Sequence, residues 1–189
     1  MCGFRFLLLG LAGLIVAACL PVTSDHPIGE SKGFAIDPAL LGTWRGRGES
    51  KDDKPGTVAF LRGDNGHMTA ILIAEDEWET YDLQVATLGA NHFMNVRSVL
   101  KNGAPVDDEE AKAIIPLLYR FGRGGKLTLA LLDDKASAAA IRAGKIKGES
   151  KADDDAHLTA EPKELDAFFM TKEGASLFKS KLLALSKVK

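Results

Sequence analysis

The sequence predicts a mainly β domain, an antiparallel barrel or sandwich of about eight to nine strands with a C-terminal helix. Three observations carry this. Turn residues recur about every ten positions from Leu40 onward. Several segments between them alternate apolar and polar side chains with a period of two, the mark of a half-exposed antiparallel strand. The clearest helical stripe, Leu165, Phe168 and Phe169, lies near the C-terminus.

Taken in order, GTWRGRGE (42–49) is the first strand and SKDDKPG (50–56) a turn. TVAFLR (57–62) is the second strand. Asp64-Asn65-Gly66 then forms a hairpin turn, because Asn-Gly tolerates the positive φ that tight turns need. HMTAILIA (67–74) is a strand apolar on both faces. In ETYDLQV, Tyr81, Leu83 and Val85 alternate with polar residues, as do Met94, Val96 and Leu100 in HFMNVRSVL. Residues 104–113 begin a short helix capped by Asp107 or Asp108, with Glu109 and Glu110 at its positive end. PLLYRF and KLTLALLD form a hairpin across Gly122–Gly125. Asp134 to Ala143 is an Ala-rich helix closed by Gly144. KIKGES and HLTA are short strands. Pro162 opens the C-terminal helix, Ser176-Leu177-Phe178 continue it past Gly174, and KLLALSKV (181–188) is read as a closing strand.

The 189 residues are 46% apolar with a net charge of −2, enough for one core and too little basic charge for a nucleic-acid surface. The two cysteines, Cys2 and Cys19, both precede the domain. A disulfide framework and a thiolate metal site are therefore excluded from residues 20–189.

The N-terminus has a grammar of its own. Arg5 is followed by an uncharged apolar stretch from Phe6 to Ala18, ending in small residues. Val16-Ala17-Ala18-Cys19 resembles the lipobox of bacterial lipoproteins. The resemblance implies a signal peptide over 1–18, recognised by its peptidase through Val16, Ala17 and Ala18. It implies a diacylglyceryl group on the Cys19 thiol and an acyl chain on its α-amine, with no other cofactor. It also implies a location in the bacterial cell envelope; Leu20 in place of Asp points to the outer membrane, facing the periplasm. Residues 19–38, with three prolines among LPVTSDHPIGESKGFAIDP, are expected to be a lipidated flexible tether, and 39–189 a single β-rich domain.

Gly42-Thr43-Trp44 on the first strand resembles the lipocalin signature. That likeness implies a barrel closed at one end by the Trp and open at the other to a small apolar ligand. Trp44, Phe60, Leu72, Met94 and Leu129 are then the candidate cavity lining. The family's last-strand Arg, which stacks on the Trp, is not evident in the sequence.

Catalytic motifs are not found: there is no Gly-x-Ser-x-Gly elbow, phosphate loop or His-Glu-x-x-His. His26, His67, His92 and His157 have no metal-ligand spacing, and the acidic runs 75–77, 107–110 and 153–155 read as solvated surface. The expected function is a non-catalytic, membrane-anchored domain that binds a small apolar ligand or lipid. The alternative is a protein-interaction module of the envelope, an inhibitor or assembly accessory.

Overall fold

The structure is a computed structural model in which residues 21–47, 55–152 and 155–188 are described. The chain runs through β1 (Thr23–Ser24), a 3-10 turn at Glu30–Lys32, β2 (Gly42–Arg47), β3 (Gly56–Arg62), β4 (His67–Ala74), β5 (Glu77–Leu88), β6 (Asn91–Lys101) and β7 (Ala104–Pro105). It continues through α1 (Asp108–Lys112), β8 (Ile115–Phe121), β9 (Lys126–Leu132), α2 (Asp134–Arg142), β10 (Gly148–Ala152), β11 (Asp155–Leu158), α3 (Pro162–Phe169), α4 (Lys172–Ala175) and β12 (Phe178–Lys187).

Eight of these strands close an antiparallel barrel of the lipocalin-like kind. From β2 to β6 each strand pairs with the next, β8 follows β6, and β9 follows β8. The last strand, β12, pairs with both β9 and β2 and completes the ring. Closure leaves no free edge on the main wall, which removes the template for edge-to-edge association. The turn chemistry fits the sequence expectation. Asn65 and Gly66 take φ of 52° and 82° between β3 and β4.

Alternation explains the two cores. Side chains of one parity along β3, β4, β5 and β12 point inward, where Val58, Phe60, Met68, Tyr81, Leu83, Leu183 and Leu185 pack into one cluster. β6, β8 and β9 are apolar on both faces. Their inward residues Met94, Leu117 and Leu129 join the interior, while Phe93, Leu118 and Leu132 face out into a second cluster with Leu165, Phe168 and Phe169 of α3. Full burial of each such aromatic or leucine stabilises the fold by about 1.5–3 kcal/mol.

The second core is supplied by the segment between β9 and β12. There α2, β10, β11, α3 and α4 form a cap on one side of the barrel, and β1 joins β11 in parallel to make a small three-stranded sheet. The helix expected at the C-terminus is therefore present but precedes the closing strand. Ser176-Leu177-Phe178 do not extend it. Gly174 lies buried within α4, and Phe178 begins β12.

Residues 21–38 correct the tether expectation. Val22 and Ile28 are buried in the outer core. Asn95, itself buried, exchanges hydrogen bonds with both backbone groups of Ile28, at 2.8 and 2.9 Å. Asp166 of α3 accepts from Gly29 N at 2.6 Å and from Ser31 N and Oγ. Three prolines and two glycines do not make a linker when apolar residues between them find a core. Residues 1–20, including the expected signal peptide and lipobox, lie outside the described residues, as do residues 153 and 154 of the third acidic run. Among the described residues no helix is long and apolar enough to cross a membrane.

Candidate functional site

The barrel has two unlike ends. At one, Trp44 is buried and donates from its indole N–H to the Leu40 carbonyl at 2.6 Å. Phe121 packs beside it, and Lys187 Nζ lies 5.3 Å from the centre of its ring. The cation over the tryptophan is thus a Lys on the last strand, where the sequence was searched for an Arg. Tyr119 donates to Asp37 Oδ2 at 2.8 Å, which ties the incoming chain across this end. Burial, reinforced by the hydrogen bond and charge of Asp37, pushes the Tyr119 hydroxyl far above its ordinary pKa.

The five residues expected to line a cavity lie in or against the barrel's interior cluster. Trp44, Phe60, Met94 and Leu129 are buried within the interior cluster, and Leu72 packs against it half-buried. None of them lines the groove of about 580 Å³ at the opposite end of the barrel.

That groove is built by an irregularity in the wall. β5 and β6 pair in register from Leu88↔Asn91 to Tyr81↔Ser98, and then the register shifts, so that Thr80 faces Leu100 and Glu79 faces Lys101. The extra residue, Val99, is a bulge that splays the rim. Beyond it Asn102 and Gly103, at φ of 50° and 82°, turn the chain into β7. The Asp107 carboxylate then caps α1 by accepting from Glu109 N and Glu110 N. This places Asp107, Glu109, Glu110 and Lys112 along one side of the groove. The opposite side comes from the N-terminal segment, with Pro21, Thr23 and Asp25, and from His157 of β11.

Inside, Tyr81 donates its hydroxyl proton to Glu79 Oε2, and Lys101 Nζ stands 3.8 Å from Glu79 Oε1. The Glu79 side chain is only 12% exposed. Burial first, then the hydrogen bond and charge of Glu79, hold the Tyr81 hydroxyl protonated far beyond its usual range. At the outer wall the His157 ring is fixed between Thr23 Oγ1 at 2.8 Å and Asp25 Oδ1 at 2.9 Å. Apolar surface from Tyr81, Ile115, Ala113 and Ala156 lies beside carboxylates from three separate stretches of chain.

Of the remaining histidines, His67 hydrogen-bonds the Asp82 carboxylate at 3.0 Å in a smaller recess of about 250 Å³ on the outer wall. His26 contacts Glu30, and His92 contacts Thr87. Among the described residues no three His, Cys, Asp or Glu side chains converge as a metal site would require.

The acidic run 107–110 is exposed, as its reading as solvated surface expects, and it also forms one side of the groove, which the sequence did not reveal. Its partners at 79, 101 and 157 are brought to it only by the barrel register and the cap. No protein-family model, curated protein or solved structure matches the chain.

Proposed function

We propose that the protein is an envelope-anchored lipoprotein whose barrel acts by non-catalytic binding, with the groove at the Glu79 end as its ligand site. In this reading Cys19 carries the diacylglycerol and N-acyl chains. The observation that carries the binding role is the groove itself. Its volume of about 580 Å³ suits a small ligand. Phe60, Met94 and Leu129 are buried in the interior cluster and take no part in the groove.

The lining also sets the ligand's chemistry. Tyr81 and Ile115 offer apolar contact, while Asp25, Glu79, Asp107, Glu109 and Glu110 outnumber Lys101 and Lys112. An amphiphile with an apolar body and a basic group meets both. Glu79, held between Tyr81 and Lys101, is the acceptor best shielded from water, where a charge-assisted hydrogen bond is strongest.

Native mass spectrometry of the chain from its host's envelope extract tests this reading. A small co-purifying amphiphile whose retention drops in Glu79→Gln supports it. A bare protein mass, with no binding of alkylammonium probes by calorimetry, overturns it. The anchor is tested separately: Cys19→Ala protein that still fractionates with membranes would sink the lipidation.

A further inference from the structure

The outer wall of the barrel is divided. Around β6, β8 and β9 it is covered by the cap, and there the outward apolar residues are buried in the second core. At the groove end of β4 and β5 the outward residues Ile73 and Trp78 stay exposed, whereas farther along β5 Ala86 and Leu88 are buried, Leu88 in the second core. On this face the side chains change character along the strands. Toward the Trp44 end the outward positions are His67, Gln84, Asp82 and Arg97. Toward the groove end they are Ile71, Ile73 and Trp78.

Ile73 and Trp78 are direct cross-strand partners, 49% and 38% exposed. The bulged Val99, 41% exposed, belongs to the neighbouring strand at the same end. Trp78 is also held in place. Its backbone N–H donates to Asn102 Oδ1 at 2.9 Å, its carbonyl accepts from Asn102 N at 2.8 Å, and its ring edge lies against Gly103. At the other end the exposed apolar residues Leu61 and Phe121, together with Val188 just past β12, lie on separate parts of the wall.

The first described residue, Pro21, lies at this same end. Pro21 lines the groove beside Glu79 and Lys101, the residues adjoining Trp78 and Leu100. In the sequence only Leu20 separates Cys19 from Pro21. We infer that Ile73, Trp78 and Val99 form a membrane-contacting face that rests in the head-group region of the bilayer and fixes the barrel's orientation on it. The inference rests on the lipid-anchor reading. A short connection brings the rim to the membrane, and an indole at an apolar-polar boundary is what such an interface selects. The β4–β5 turn carries Glu75, Asp76 and Glu77 next to these residues. The surface it suits is therefore one of zwitterionic head groups, whose ammonium groups meet the carboxylates. An anionic surface would repel the turn.

Tryptophan fluorescence reads this directly, because Trp44 and Trp78 are the only two tryptophans and Trp44 is buried at the far end. The mature chain from Cys19 has a single thiol, which allows coupling to a maleimide lipid whether or not a host lipidates it. Coupled protein on phosphatidylethanolamine–phosphatidylcholine vesicles with brominated acyl chains is expected to lose a substantial share of its emission. Trp78→Phe protein should lose almost none, Ile73→Asp should lose less than wild type with an unchanged circular dichroism spectrum, and added phosphatidylglycerol should weaken the effect. Coupled wild-type protein that stays on the vesicles with unquenched Trp78 would overturn the inference. So would equal quenching in the Trp78→Phe variant. Neither result would touch the lipidation of Cys19, which the Cys19→Ala fractionation decides.

Discussion

Asp166 of α3 reaches back across the chain to accept the Gly29 amide at 2.6 Å, with both residues buried. The same carboxylate accepts from the backbone and hydroxyl of Ser31. One side chain therefore satisfies three donors of the N-terminal segment and seats it on the cap. Asp166→Ala leaves the buried Gly29 N–H without a partner and should cost about 2–3 kcal/mol. A urea midpoint shift measures the loss. Limited proteolysis should show new cleavage between residues 25 and 36, ahead of any cut in the barrel.

Two glycine substitutions should separate close packing from backbone strain. A Cβ on Gly46 would overlap the Ala184 carbonyl oxygen and come within 2.6 Å of Leu185 Cδ2 on the closing strand. Gly46→Ala should destabilise by about 2–3 kcal/mol, as forced overpacking does. Gly124 has open space around it but a φ of 71°. Gly124→Ala should cost only about 1 kcal/mol. Equal thermal shifts in the two variants would contradict the close approach of β2 and β12.

The protein has just two tyrosines, Tyr81 and Tyr119, and both are buried and bonded to carboxylates. Each folded-state pKa is raised well above its unfolded value of about 10. Folding therefore gains from both groups fully below pH 10, and the gain shrinks as pH rises above it, because only the unfolded chain releases those protons. A spectrophotometric titration should show no tyrosinate absorbance through pH 11. It should then show both groups ionising together with loss of the near-ultraviolet dichroism. A smooth two-tyrosine titration centred near pH 10 in folded protein would refute the buried pairs.

The interior and outer cores share a wall but belong to separate clusters of buried side chains, Phe60 in one and Phe169 in the other. Truncating either to Ala should cost about 3–5 kcal/mol. The losses should add within about 0.5 kcal/mol in the double variant, as for sites with no shared partners. A larger coupling, measured by denaturant unfolding, would mean that the cap and the barrel form one packing unit.

The strands were readable because each obeys a local rule. Alternation in β3 and β5, Asn65-Gly66 in the first tight hairpin and Asp107 as a helix cap all act within a few residues. The period-two reading of β6 as half-exposed captured its inward face alone, because Phe93 on the other face is buried in the second core. The N-terminal segment was misread for a related reason. Prolines and glycines argue for a linker locally, and nothing near them announces that Asn95 and Asp166 will bind Ile28 and Gly29 from 67 and 137 residues away. The cavity lining was chosen by parity, which identifies inward side chains but not whether the space they enclose is filled. The groove depends on the β5–β6 bulge, on α1 and on β1, three features from separate parts of the chain.

The closing strand arrives after an excursion of more than forty residues from its neighbour β9. Without residues 178–187, β2 and β9 are both bare borders of a seven-strand sheet, and the cation over Trp44 is missing because Lys187 belongs to that strand. Ring closure is thus an all-at-the-end event with long chain loops to draw in. The molecule depends on a slow final stitch, during which its unpaired borders are open to capture by any extended polypeptide nearby.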